Sequence, residues 1–330
     1  MKTRSKLVDG LVYRLDVITV LALAAVLVVF FLNSNPHFVS VNNIYNMIQL
    51  NAALIIVAVG MTFVVMSGNM DLSSGSVIVL TASITGIIFR ATGNMWLAMG
   101  ACLAAATLIG ALNGFLISYL NINAVIVTLS CMVWARGLAL GITDAKSIVV
   151  SSGVLQTIYT PFALNFVNIS LIIVVLCMVL GWFLLTKTKF GRYVKALGEN
   201  EKATMLAGVN TRLVKWGLFT LAGFLTGIAS IVDLARLGSA VVTIGDGMEF
   251  NAIVAVVIGG NRLSGGKGSF GKTIAGLLFM CILSNGLSTM GVTDDKIYLI
   301  KGGIILAALI IQMLSNRFRL GYLRRRNEFD

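Results

Sequence analysis

Charge is the scarcest ingredient of this 330-residue chain: Asp, Glu, Lys and Arg together make up 12% of it. None of the four occurs from Val17 to Met70, from Ala91 to Ala135, or from Ser147 to Thr186. A surface helix of a soluble protein turns a polar face to water, and these tracts have no such face to offer. A membrane span needs about 20 mostly apolar residues, so the tracts have room for two spans, two spans and one span. Proline is nearly missing, with 2 residues, whereas glycine contributes 34. Helices packed together in lipid use small residues so that their backbones can approach. The single histidine, His37, follows Pro36 in a loop and has no partner ligands in sequence. Cys102, Cys131, Cys177 and Cys281 sit singly in apolar runs and match no zinc or redox spacing. The absences exclude a soluble enzyme, a disulfide scaffold and metal chemistry. What remains is an integral membrane protein.

The apolar runs predict ten spans, near 16–32, 44–65, 76–89, 96–120, 125–142, 167–186, 214–237, 249–260, 270–290 and 297–314. The third and eighth are short. Each has a polar, glycine-containing stretch at its start, SGNMDLSSGS at 67–76 and GDGMEF at 245–250. The first run is longer than a secretory signal core of about 7–15 residues and ends without a small-residue cleavage site, so it reads as an uncleaved span. Short loops rich in Lys and Arg stay inside. With the N-terminus inside, the inner segments hold four Lys/Arg at 1–15, seven at 187–215, three at 261–272 and five at 315–330, or 19 of the chain's 25. The outer connections hold Arg90, Lys146, Arg236 and Lys296. The expected fold is all-α: a polytopic membrane protein of about ten transmembrane helices, both termini cytoplasmic, forming one domain over 1–330. A cytoplasmic loop occupies 187–213, and a basic tail at 315–330 suits anionic membrane lipid. Topology thus accounts for the net charge of +12 without a nucleic-acid partner. No internal repeat stands out.

GKGSFGKT, from Gly266 to Thr273, matches the phosphate-loop pattern, in which backbone N–H groups cradle phosphates, Lys272 reaches the outer phosphates and Thr273 holds magnesium. That pattern needs a soluble α/β setting. Here an apolar span follows and no soluble sheet is at hand, so the match reads as a glycine-rich inner loop with a snorkelling lysine.

The stretch GRYVKALGENEKATMLAGVN at 191–210 is polar in an apolar chain. Asn200 is placed as an N-cap with Glu201 in the first turn, and Gly208 suits the left-handed position after a helix. About two turns lie between, with Ala203, Leu206 and Ala207 on one face. So short a helix is marginal in water. It either docks a partner or lies on the bilayer as an amphipathic connector.

The same stretch resembles the cytoplasmic coupling loop of permease subunits of ribose/galactose-type bacterial ABC importers, in the superfamily that includes branched-chain amino acid permeases. The matches are Gly191, Arg192, Ala196, Gly198, Asn200, Ala203 and Gly208, with Thr204 where the family favours a second Ala. SGNMDLSSGSV is similar to the family's motif through Ser67, Gly68, Asp71, Leu72, Ser73, Gly75 and Ser76. VIVTLSCMVWARGLAL contributes Thr128, Leu129, Arg136 and Gly137. The second half contributes Gly245, Glu249, Ala252, Ile253, Ala255, Gly259, Gly260, Leu263, Gly265, Gly266, Gly268 and Ser269. Lys272 departs from the family pattern. The resemblance implies a transport subunit, not an enzyme, in a bacterial cytoplasmic (inner) membrane. It pairs with a second permease subunit as a homo- or heterodimer, with an ABC ATPase that is often tandem, and with an extracytoplasmic sugar-binding protein. ATP and Mg belong to the ATPase, and this chain binds no cofactor. Residues 191–208, with Glu201, Leu206 and Ala207 among them, would receive the force of ATPase closure. A pentose or hexose is the expected solute, and a nucleoside or another small polar solute the alternative.

Ionisable groups inside a span are costly and should be paired or face a cavity. Arg136, Asp233, Glu249 and Lys301 are such groups. Asp71, Ser73 and Ser76 suit a helix-starting turn, and Glu249 a helix start, yet each is also a candidate for the solute pathway. So are the neutral polar residues Asn51, Asn113, Thr128, Asn251 and Asn285. An ion-coupled secondary transporter would want deep carboxylate or histidine relays and would have no use for the polar insert. A membrane-embedded enzyme would want converging His or carboxylates, which the sequence lacks.

Overall fold

The computed structural model describes residues 20–306 apart from 21, 163–165, 294, 298 and 305. The expected N-terminal segment, the far part of the tenth span and the basic tail lie outside the described residues. The chain forms α1 (Ala22–Ser34), then α2 (Val41–Leu50), α3 (Ala52–Met66), α4 (Ser74–Thr92), α5 (Met95–Ser118), α6 (Ala124–Thr143), β1 (Ile148–Val149), α7 (Gly153–Tyr159), α8 (Ile169–Lys187), α9 (Lys189–Glu199), α10 (Glu201–Leu206), α11 (Thr211–Leu237), β2 (Ser239–Ala240), α12 (Met248–Ile258) and α13 (Phe270–Thr289). Among the described residues six helices, α4, α5, α6, α8, α11 and α13, are long and apolar enough to cross a membrane. α2 and α3 make a seventh crossing if taken together, bent by 54° at Asn51. The fold is all-α and polytopic.

Polar residues at the breaks explain where the helices start. Asn94, Asn123, Asn168, Asn210 and Ser269 each accept a backbone N–H of the first turn that follows, opening α5, α6, α8, α11 and α13. Such a cap satisfies donors that have no partner inside the helix. α4 and α12 begin differently, at Ser73 and Gly247, with no side-chain cap.

α3 is the axis of the bundle. It is apolar all round, and all fifteen of its residues are buried. A helix of that kind must be enclosed, and α8, α9, α11, α12 and α13 enclose it. α11 packs most closely on α5, antiparallel and almost backbone to backbone. A methyl group on Gly223 would fall 2.5 Å from the Ala106 carbonyl oxygen, and one on Gly110 2.6 Å from that of Phe219. α6 and α8 keep broad apolar faces exposed, including Val133, Trp134, Val175 and Val179, which suits lipid contact. All four cysteines are free and buried.

The chain has two distinct ends. One gathers α9, α10 and the loop 259–269. The other carries the two-stranded ribbon, in which Ile148 pairs with Ala240 and Val149 with Ser239. One of the expected short spans comes out differently. The third is a full-length helix of 19 residues that extends beyond the expected 76–89. The eighth, α12, is short as expected, with 11 residues, about 16 Å at 1.5 Å per residue. That is roughly half of a ~30 Å hydrocarbon core. The segment 238–247 before it holds β2 and turns.

The close seat of α5 on α11 should be sensitive to size. Gly223→Leu is expected to cost about 1–3 kcal/mol through overpacking. Gly137→Ala on α6, with nothing within 4 Å of the added carbon, should be neutral or stabilise by up to about 1 kcal/mol. Thermal unfolding in detergent, followed by labelling of the buried thiols with a fluorogenic maleimide, separates the two.

Candidate functional site

The polar insert folds as two helices joined at Asn200. Thr188 caps α9 and Asn200 caps α10, its Oδ1 accepting from Ala203 N at 3.0 Å. Gly208 closes the pair with φ +83°. The sequence placed both the cap and the stop of α10, while α9 is a further helix. α9 buries Gly191, Val194 and Leu197 and turns Arg192 outward. Gly191 has no room for a side chain, because Leu184 and Leu185 carbonyls pass directly beneath it. Half-burial strips water from Lys195 and lowers its pKa. On α10 only Thr204 points inward, its Oγ1 donating to the Asn200 carbonyl at 2.8 Å. Ala203, Leu206 and Ala207 are exposed, and Leu206 is 85% exposed. Glu201 pairs with Lys215 at 2.6 Å and ties α10 to the start of α11.

The insert is fixed to the bundle through backbone. A side chain on Gly198 would collide with the Met66 carbonyl and the Gly266 N–H. The Gly266 N–H also donates to Met66 O at 3.0 Å, joining the end of α3 to the loop between α12 and α13. Gly265 and Gly266 have φ of +81° and +75°, a region that only glycine enters readily. A Cβ on Gly265 would lie 2.6 Å from Gly68 N, and one on Gly266 2.9 Å from Glu199 N. Met66, Gly68, Gly198, Gly265 and Gly266 therefore form one junction of α3, α9 and the 262–268 loop. Its glycines at 198, 265 and 266 carried the resemblance, but their contact was not legible.

The phosphate-loop-like residues are used up in the same region. Lys272 is buried rather than snorkelling and donates to the Gly260 carbonyl at 3.1 Å, beside the end of α12. Thr273 Oγ1 lies 2.9 Å from Thr62 Oγ1 and accepts from Asn261 Nδ2 at 3.0 Å. Asn261 Oδ1 in turn accepts from Ser269 N at 2.7 Å. The pattern stitches α12 and α13 to α3.

A second group of polar residues lies deeper, where two short stretches break the helices. Asp71 Oδ1 accepts from Ser73 N at 2.9 Å and Ser73 Oγ at 2.6 Å, the turn-forming role expected of it. Asn113 donates to Ser73 Oγ at 3.2 Å, and Thr128 Oγ1 to Met70 O at 3.4 Å. Asp71, Ser73, Asn113 and Thr128 are thus brought together. Ser76 leaves that turn and accepts from Arg136 Nε at 3.4 Å. Arg136 also pairs with Asp246 at 3.3 Å, and Asp233 with Arg236 at 2.6 Å. Asn51, Asn251, Asp246 and Lys301 line a cavity of about 340 Å³ near the ribbon end. Ser76, Arg136, Asp246 and Glu249 line another of about 420 Å³. Asn285 stands apart, bonded to Asn43 at 2.9 Å. Asp246, which borders both cavities, was missed in sequence because it looked like part of a loop.

The two breaks resemble each other. Asn69-Met70-Asp71-Leu72-Ser73 precedes α4, and Gly247-Met248-Glu249-Phe250-Asn251 opens α12. They differ in place: Asp71 lies three residues before α4 starts, while Glu249 is the second residue of α12. Among the described residues no group of three or more His, Cys, Asp or Glu could hold a metal.

A lipid-facing helix bundle, broken helices around polar cavities and a soluble helical insert locked to the core define a membrane transport subunit. The chain belongs to the family described as branched-chain amino acid transport system / permease component, which matches residues 43–309. It is 35% identical over 280 residues to the ribose import permease protein RbsC of Escherichia coli (strain K12), covering 84% of this chain and 87% of that one. It is 34% identical over 266 residues to the L-arabinose transport system permease protein AraH of the same strain, 79% of each chain. It is 28% identical over 301 residues to that strain's D-allose transport system permease protein AlsC, 91% of this chain and 92% of that one. No solved structure matches the chain. The resemblance read from the motifs is borne out.

Loss of the α10 cap gives a direct check on this geometry. Asn200→Ala should weaken the helix by about 1 kcal/mol, about fivefold in the population of the opened form. Limited trypsin digestion after Lys202 should accelerate by that factor, while cleavage elsewhere stays unchanged.

Proposed function

We propose that this chain is the membrane-spanning subunit of an ATP-driven importer that carries a small sugar, a pentose or hexose, across the cytoplasmic membrane of a bacterium. The relatives named for ribose, L-arabinose and D-allose support the choice of solute. ATP and Mg are bound and hydrolysed on a separate ABC ATPase. A sugar-binding protein delivers the solute outside, and a second permease subunit completes the pathway.

The observation that carries the reading is the insert at 187–213. Its outward face is uncovered and apolar at Leu206, while its inward face is locked to the core at Gly198. An exposed leucine at the tip of a two-turn helix is a poor design for water and a good anchor for a groove. The positive-inside rule supports placing this end in the cytosol, since 187–215 and 261–272 hold seven and three Lys/Arg. In the proposed topology ten segments cross. They are α1, the bent α2–α3 pair, α4, α5, α6, α8, α11, the 238–258 segment with α12, α13, and the segment near 297–314. An even count keeps both termini in the cytosol, with the tail at 315–330 against anionic lipid.

Affinity purification of the tagged chain after crosslinking in native membranes tests the coupling claim. An ATPase subunit should come down with wild type. Ala203→Asp and Leu206→Asp should reduce its recovery at least tenfold while the permease itself still inserts and purifies. If the ATPase is recovered equally with both variants, α10 is not the docking element. Radiolabelled sugar uptake then separates a pentose or hexose from a nucleoside.

A further inference from the structure

α4 and α12, of 19 and 11 residues, begin without side-chain caps. The far end of α12, at Gly259, lies against the Lys272 carbonyl at the coupling end of the bundle. Eleven residues rise about 16 Å, so the start of α12 is near the middle of a ~30 Å core. The start of α4 packs against it. Gly75 lies against the Glu249 carboxylate and the Gly245 carbonyl, and a Cβ on Gly245 would fall 2.6 Å from the Gly75 oxygen. Two bare helix starts, each with orphan N–H donors, thus face one another inside the bundle.

Two buried polar atoms at this meeting point, Ser74 Oγ and Glu249 Oε2, find no hydrogen-bond partner among the described residues. Glu249 is only 4% exposed. Folded proteins retain few such atoms, and each calls for an explanation. Glu249 also lines the cavity of about 420 Å³ shared with Ser76, Arg136 and Asp246. The Arg136 guanidinium is only loosely committed there, at 3.3 Å from Asp246 and 3.4 Å from Ser76, and it has five N–H donors.

The geometry points to this cavity as the site where the solute is held in transit, with Glu249 and Arg136 binding adjacent hydroxyl groups. The charges choose the chemistry. A cation would be opposed by Arg136 and an anion by Asp246 and Glu249. A neutral polyol suits both, because each hydroxyl donates to a carboxylate and accepts from a guanidinium or a helix-start N–H. A sugar offers such hydroxyls on neighbouring carbons. This assignment rests on the sugar-importer reading and adds to it the residues that touch the sugar. The other cavity is the weaker candidate, since its Asp233 is already paired with Arg236 and its Asn51 donates to the Met47 carbonyl.

The test is uptake of ribose, 2-deoxyribose and 3-deoxyribose by the assembled transporter in proteoliposomes, wild type against Glu249→Gln. Taking the wild-type to variant rate ratio sugar by sugar cancels what the binding protein contributes. Glu249→Gln should slow ribose about tenfold, but at least one deoxy sugar less than threefold, because the lost contact was with the hydroxyl that sugar lacks. Equal slowing of all three sugars means a structural role for Glu249 and overturns the assignment. So does a variant within twofold of wild type on all three. If Glu249→Gln fails to assemble, as seen by size-exclusion chromatography, Arg136→Gln is read by the same criteria. A wild-type transporter that assembles yet takes up no pentose or hexose sinks the sugar reading itself, and this assignment with it.

Discussion

At Gly198 the polar insert of α9 and α10 touches the rest of the protein with no side chain between them. The Met66 carbonyl and the Gly266 N–H fill the place where a Cβ would stand, and Gly265 closes on Gly68 and Gly198 from the other side. A contact between long side chains can absorb a displacement by changing rotamers. A backbone-on-backbone contact has no such slack, and packed interiors transmit strain rather than dissipate it. Anything that moves α9 must move the end of α3 and the 262–268 loop with it. Because α3 is buried along its whole length, it cannot shift alone. Its neighbours α8, α11, α12 and α13 must repack around it.

The second route from the junction leads to the centre of the bundle. The 262–268 loop is fastened to the end of α12 through Asn261, which bonds Val256 O at 3.0 Å, and through Lys272 on Gly260 O. α12 is short, so its other end, with Glu249, lies only about 16 Å away. That end abuts Gly75 at the start of α4. A push at the junction therefore reaches both helix breaks, one directly, since 67–73 follows Met66 and includes Gly68, and one along α12 to 245–249. Breaks with irregular backbone are where a membrane bundle can change shape without unravelling a whole span, provided they line a cavity or lie buried in protein. The α9–α10 end and the polar cavities are joined by packed helices over a short distance, so an element at either with two discrete arrangements could bias the other.

Much of this was legible in the chain before its fold was known. The apolar runs marked the chain as polytopic, six or seven of the expected ten spans being helices of membrane-crossing length among the described residues, and Asn200 and Gly208 bounded α10 because a cap and a left-handed glycine are local chemistry. Arg136 was expected to need a partner and has one in Asp246. What the sequence hid was distance. The 54° bend at Asn51 falls within what read as one run over 44–65, although Asn46 and Gln49 on the α2 side give way there to an apolar α3. The brevity of α12, by contrast, was visible, because GDG at 245–247 and GGNRLSGG at 259–266 bracket it. Lys272 looks like a phosphate ligand or a snorkelling lysine until the Gly260 carbonyl appears beside it. The glycines at 68, 198, 265 and 266 are visible as a motif, but only three-dimensional proximity shows them sharing one junction.

The central claim is that ATPase work enters the bundle through the Gly198 contact. The most direct measurement is the number of sugar molecules moved per ATP hydrolysed by the reconstituted transporter, wild type against Gly198→Ala. A single methyl group leaves the outward face of α10 untouched but forces α9 away from Met66 and Gly266. The account predicts that the ATPase still binds and hydrolyses ATP while sugar moved per ATP falls at least fivefold. A Gly198→Ala transporter that keeps the wild-type ratio would show that the force takes another path and would contradict the account.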